Sequence, residues 1–467
     1  MKKFSGIIKN ILYTVSSNLL SLVVSIVVSL LLPKILGVSE YGYYQLYIFY
    51  VSYVGILHFG WCDGIYLRYG GFEYSDLNKK KMAGQVYEFI LFQLVITFIF
   101  CVILFFTNDP DINKRFVLYA AVFNIIIMNL RMFQLLILQT TNRMKEYSFV
   151  LLIDRFFYVI IVLVFIFLNE TNVRVYILID IFAKLASLIL AIAMCKEIFF
   201  VPNIQFSMSE TKLNIFSGIN LMLANVASML IIGIVRFGIQ DNWSIETFGK
   251  ISLTLSISNM LMVFVGAVSL AIFPIIKRTS KKNYNQIYPN IRTIIMPLIL
   301  ILLILYFPVE IILSEWLPQY RESLKYMVIV FPMVVFESKV SLLTNTFLKA
   351  MRKEKEIFKV NFISACSSIV LTLIFVYLLD NLFLSMVSIV VLLGIRSTLS
   401  EYYLRKSLEI KIYKDIILEL ILVFVFIYFG WNFKKIYALI IYIIFLSIYF
   451  IIKRKDLKNV IMMIKQS

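Results

Sequence analysis

Six cations lie inside stretches of this chain that are otherwise almost wholly apolar: Arg131, Arg155, Lys184, Arg236, Lys339 and Arg396. A charge at the centre of a bilayer costs at least about 2.5 kcal/mol, so chains keep such residues mainly where they face a protein interior or an aqueous cavity. Several cations held at that depth suit an anionic ligand. Three carboxylates share the same stretches: Asp154, Asp180 and Glu337 are candidates for pairing with these cations or for carrying a coupling ion.

Spacing sorts the nine. Asp180 and Lys184 are four residues apart, share a helix face and are expected to pair, which makes their burial tolerable. Asp154 and Arg155 are adjacent, and Glu337 and Lys339 are two apart; neither couple faces itself on a helix, so each member pairs across helices or faces a cavity. Arg131, Arg236 and Arg396 have no carboxylate within one helical turn. Arg236 lies about a turn from the outer end of its span, within snorkelling reach of the surface. Arg131 and Arg396 lie deeper. The expected ligand contacts therefore narrow to Arg131, Arg155 and Arg396, with Lys339 open to either role.

The elements that hold these residues are membrane spans. Of 467 residues, 61% are hydrophobic and 15% charged, which excludes an ordinary soluble domain. The net charge of +18 needs no nucleic acid, because loops facing anionic lipid account for it. Cys62, Cys101, Cys195 and Cys366 form no CxxC pair and read as small apolar residues, so no metal site or cofactor is expected. His58, the only histidine, reads as a packed or cavity-lining residue of the second span. The apolar run from Asn10 to Leu36 is too long for a signal peptide and reads as a retained first helix.

Fourteen apolar runs are each long enough to cross about 30 Å of hydrocarbon, from 10–36 and 43–67 through 415–432 and 436–452. Connections are short, the longest being 68–83, 197–212 and 275–292. Most Lys and Arg outside the runs fall on the side that carries both termini, including Lys79–Lys81, Lys277–Lys282 and Arg352–Lys359, which places both ends in the cytoplasm.

The chain is also duplicated. Asn18, Ser21, Tyr41 and Gly42 return as Asn225, Ser228, Phe248 and Gly249, and Leu138, Lys145 and Glu146 return as Leu348, Lys355 and Glu356. Six spans separate equivalent positions. An even number inserts both halves in the same orientation, a parallel repeat of the kind that binds substrate near the midplane between lobes. The expected fold is an all-α integral membrane protein of about 14 transmembrane helices: a six-helix lobe over 1–204, a second over 205–410, a central cavity, and two additional helices with a tail over 411–467. Pro297, Pro308 and Pro332 fall inside spans and are expected to kink them.

The opening KNILYTVSSNLLSLVVSIVVSLLLPKILGVSEYGYY, the end of the second span in GWCDGIYLRYGG, the loop LQTTNRMKEY and the six-plus-six-plus-two plan resemble the polysaccharide-repeat (O-antigen-type) flippases of the multidrug/oligosaccharidyl-lipid/polysaccharide exporter superfamily. The resemblance covers essentially the whole chain. It implies a non-enzymatic flippase of the bacterial cytoplasmic membrane that moves undecaprenyl-diphosphate-linked oligosaccharide repeats, as in lipopolysaccharide assembly, from inner to outer leaflet, with a polymerase or glycosyltransferases as partners. A diphosphate matches the cations well, since guanidinium binds phosphate oxygens bidentately. Lipid II flippases share the plan and stay close competitors. Cation-coupled multidrug antiporters are disfavoured, because 10–36 and 213–238 hold no Asp or Glu. A membrane polysaccharide polymerase would need a sizeable outer loop, and none is present.

Overall fold

A computed structural model describes residues 2–107, 109–278, 283–410 and 412–466; side chains before residue 23, most of those in 263–282 and those at the extreme C-terminus lie outside the described set. Asn18 and the basic run Lys277–Lys282 fall there. Every regular element among the described residues is helical. The longer helices are α1 (Lys2–Tyr53), α2 (Trp61–Tyr69), α3 (Lys79–Thr107), α4 (Ile112–Thr140), α5 (Met144–Phe167) and α6 (Val173–Met194). A short α7 (Lys196–Phe199) leads to α8 (Met208–Asn242) and α9 (Ile245–Arg278). Then come α10 (Tyr284–Leu302), α11 (Tyr306–Trp316), α12 (Arg321–Leu324), α13 (Met327–Val330), α14 (Met333–Ser338) and α15 (Asn345–Ala350). The chain closes with α16 (Glu354–Thr372), α17 (Leu382–Leu408), α18 (Tyr413–Asn432) and α19 (Lys435–Gln466). Helices dominate because no water inside a bilayer can satisfy backbone N–H and C=O groups, and a helix satisfies its own.

Among the described residues, twelve segments are long and apolar enough to span a membrane. The fourteen expected from sequence are reached when α1 is divided at Gly37 and α9, many of whose side chains are outside the described set, is included. The protein is a multi-pass membrane protein. Several connections are tighter than the sequence suggested. The turn expected over 37–42 contracts onto Gly37 alone, whose φ of 72° and ψ of 179° only glycine adopts freely. The long connection expected over 275–292 is mostly helix, since α9 runs to Arg278 and α10 starts at Tyr284. Of the three prolines expected to kink spans, Pro308 and Pro332 stand at helix breaks, whereas Pro297 lies inside the continuous helix α10. Pro308 follows a 3-10 turn at Leu303–Leu305, and Pro332 separates α13 from α14, because each removes an N–H and crowds the carbonyl four residues back.

Packing divides the chain into two compact units, Met1–Val226 with Ile245–Gly249, and Ala227–Ser244 with Lys250–Ser467. The duplication is written into the backbone. After the fourth span of each half, Asn142 and Arg352 share a φ of 61°. The next amide returns to the helix in both, Arg143 N–H to the Leu138 carbonyl at 2.8 Å and Lys353 N–H to that of Leu348 at 2.9 Å. These are the same left-handed helix caps. The sixth spans start alike too: Asn172 and Asn381 each accept a backbone N–H of the first turn through the side-chain oxygen.

Candidate anion-binding site

In the first unit, Arg131 on α4 reaches across to Asp154 on α5, Nη1 to Oδ2 2.6 Å, and donates to the Ser187 hydroxyl on α6 at 3.3 Å. Ser187 in turn donates to the Val150 carbonyl at 3.0 Å. One guanidinium thus ties three helices together. One turn away on α6, Lys184 contacts Asp180 at 2.5 Å, and Asp180 also accepts from the Tyr47 hydroxyl on α1 at 2.5 Å. Asn124 donates to that same hydroxyl at 2.9 Å. Lys184 is therefore spoken for within its own helix, as its spacing from Asp180 suggested.

Arg155 is placed differently. It is exposed near the middle of α5, and among the described residues it has neither an ion pair nor a hydrogen bond. The exposed apolar stripe of α5 runs through Phe149, Phe156, Phe157, Ile160, Leu163, Val164 and Phe167. At about 100° per residue, that stripe lies roughly 80–200° around the helix from Arg155.

In the second unit, Arg396 on α17 contacts Glu337 on α14, Nη1 to Oε1 2.6 Å; Nε donates to Asn361 on α16 at 3.0 Å and Nη2 to Ser228 on α8 at 2.7 Å. The carboxylate absent from its own helix comes from another. Arg236 on α8 donates to the Ser252 hydroxyl on α9 at 3.0 Å, a contact made within the protein. Asn225, the repeat partner of Asn18, is exposed.

Lys339 belongs to a separate structure. It opens a π-helical turn, Lys339–Thr344, and contacts Glu401 on α17 at 2.9 Å and Glu419 on α18 at 3.1 Å. Arg292 on α10 meets the same two carboxylates at 2.6 and 2.8 Å, closing a ring of alternating charge whose four side chains are at most 2% exposed. Tyr288 donates to Glu401 at 2.7 Å, and Asp415 bridges Arg292 at 3.2 Å to Lys453 on α19 at 2.7 Å. The ring fastens α18 and α19 to the second unit.

Sequence reasoning missed Arg292, Glu401, Asp415, Glu419 and Lys453. All but Glu419 stood at or near the edges of the apolar runs, where charges usually meet headgroups. The helices extend beyond those runs and bury them. Glu419, inside the run 415–432, was the one available signal.

The end of the second span is a tight packing site. Phe59 and Gly60 have φ of 50° and 82°, and the Gly60 N–H is accepted by His58 Nδ1 at 2.9 Å. His58 Nε2 lies 3.6 Å from Asp63, so this histidine is a packed helix-end residue. A Cβ on Gly64 would stand 1.8 Å from the Asn214 carbonyl oxygen, so glycine is what lets α2 approach α8. Arg68 closes the contact on Glu210 at 2.7 Å and Asn214 at 2.6 Å. The four cysteines are free, and burial pushes the Cys195 thiol up to about 12, leaving it an inert apolar residue.

A family model described as polysaccharide biosynthesis protein matches residues 7–280, more than half of the chain. The chain belongs to that family. A comparison with curated sequences gave no match. Among solved structures, this family member resembles the lipid II flippase MurJ in an inward closed conformation, with a TM-score of 0.64 and 15% identity over 95% of this chain and 99% of that one. It resembles an inward-facing multidrug resistance MATE family transporter of the MOP superfamily with a TM-score of 0.60 and 11% identity, over 85% of this chain and 94% of that one. A MOP superfamily transporter from Pyrococcus furiosus gives 0.52 and 12%, over 86% and 96%. At these identities the likeness fixes the fold, which is that of the MOP superfamily transporters.

Proposed function

We propose that this family member is a flippase that carries undecaprenyl-diphosphate-linked oligosaccharide repeats from the inner to the outer leaflet of the bacterial cytoplasmic membrane by alternating access, with both termini cytoplasmic and no covalent chemistry. The observation that carries this reading is Arg155, an exposed cation at mid-span with no partner among the described residues and turned off the apolar stripe. Arg131 lies on the neighbouring helix α4, and Arg396 supplies the same chemistry in the second unit. Guanidinium groups at that depth suit a diphosphate.

A second observation bears on the lipid tail. In the second unit, α13, α14, α17 and α18 line an apolar groove of about 540 Å³, with Phe336, Val390, Gly394, Val423, Phe424 and Trp431 among its walls. It follows α17 from Phe383 to Thr398, about 22 Å at 1.5 Å per residue. That length and polarity suit an extended isoprenoid. A polymerase and glycosyltransferases of the same pathway are the expected partners.

The test is a strain lacking the protein. Complete repeat units should accumulate on the lipid carrier, unpolymerised, at the inner face. Incomplete units would point to an enzyme, and normal glycans with raised drug sensitivity to an efflux pump.

A further inference from the structure

Two kinds of buried charge in this protein differ in exposure and in the number of carboxylates around each cation. In the ring, each cation contacts at least two carboxylates, and none of the four ring side chains is exposed beyond 2%. At Arg131 and Arg396, each guanidinium contacts one carboxylate through a single oxygen, and its remaining contacts go to neutral groups, Ser187 in one unit and Asn361 and Ser228 in the other. These two pairs are also wetter: side-chain exposures are 11% for Arg131 and 7% for Asp154, 6% for Arg396 and 21% for Glu337. A planar guanidinium engaged by one oxygen has not used the bidentate geometry that gives such pairs their strength.

We propose that Asp154 and Glu337 are exchangeable counter-ions, which neutralise Arg131 and Arg396 between transport events and yield them only to an anion carrying more than one negative charge. The inference rests on the flippase reading and adds a rule of selection to it. An arginine at this depth with no counter-charge would bear the full cost of an unpaired buried ion, so a resident carboxylate keeps the unliganded protein stable. That carboxylate must then be outcompeted. A singly charged head group offers the guanidinium nothing that the carboxylate does not already give. A diphosphate supplies several phosphate oxygens and a larger charge, so it can displace the carboxylate and still gain. In the first unit Arg155, one residue beyond Asp154, adds a cation that no carboxylate masks among the described residues, which biases the exchange further toward a multiply charged ligand.

The experiment uses the full-length protein in detergent micelles and two probes, inorganic pyrophosphate and dimethyl phosphate, titrated calorimetrically. The native protein should prefer pyrophosphate by at least about tenfold, the worth of one charge-assisted contact. Glu337→Gln, which keeps the shape and a hydrogen-bonding oxygen, should bind both probes more tightly and cut the preference to about threefold or less. Asp154→Asn tests the first unit independently if Glu337→Gln is poorly folded. Arg396→Gln should weaken pyrophosphate binding in the native background. If the native protein discriminates but neither neutralised variant relaxes the preference, the carboxylates are structural partners and the proposal is wrong while the flippase reading stands. Equal binding of both probes by the native protein has the same consequence. If neither probe binds to any variant, the anion site itself fails, and the flippase reading with it.

Discussion

The two units solve the same problem with the same chemistry and different residues. Each joins its fourth, fifth and sixth spans by an arginine held to one carboxylate and to neutral hydrogen-bonding groups. In the first unit the arginine is on the fourth span and the carboxylate on the fifth; in the second the arginine is on the sixth and the carboxylate on the fourth. The helix caps at Asn142 and Arg352 kept their shape through the duplication. The charges did not keep their places. Backbone geometry after a duplication is held by every hydrogen bond in the turn, whereas a buried pair needs only opposite charges within reach, and three packed helices offer several equivalent ways to arrange that. Where the units part company is the ring of Arg292, Glu401, Lys339 and Glu419, which only the second has among the described residues.

That contrast can be broken at the ring first. Arg292→Ala leaves two buried glutamates sharing one lysine, and removal of one partner from a buried ion pair costs about 3–5 kcal/mol. Detergent-solubilised variant should therefore lose most of its folded fraction by size exclusion and thermal melt; a melt like that of the native protein would demote the ring to decoration. A smaller loss separates the two arginine knots. Arg131→Ala and Arg396→Ala should each cut glycan export per folded molecule about 10–100-fold, the worth of a lost charge-assisted contact. Unequal effects would show which unit holds more of the substrate. The smallest structural effect belongs to Arg155→Gln. As an exposed side chain without an ion pair or hydrogen bond among the described residues, it should shift stability by no more than about 0.5 kcal/mol while export still falls about tenfold. Unimpaired export would place Arg155 outside the site.

Sequence made the architecture legible because hydrocarbon thickness, periodic duplication and loop charge all act over long stretches and agree with one another. It also singled out Arg131, Arg155 and Arg396, since a charge inside an apolar run stands out against its neighbours. Partners were another matter. Arg131 and Asp154 are on different helices, as are Arg396 and Glu337, and helix spacing reports only what one helix does to itself. Lys339 stayed ambiguous for the same reason, with its two glutamates on α17 and α18. The ring was hidden by a different cause, the extension of helices beyond their apolar runs, which turned residues expected near headgroups into core.

The ring also sets an order of assembly. Arg292 and Lys339 are synthesised before Glu401, and Glu419 follows Arg292 by more than a hundred residues. At about 5–20 residues per second, Arg292 waits on the order of ten seconds for its second carboxylate. Through that interval the two cations lack part of their carboxylate complement, so α10 and the span carrying Lys339 are expected to settle fully only once α18 is made. A chain released before Tyr413 would never meet that condition, and α18 and α19 are in this sense the closing step of biogenesis for the whole second unit.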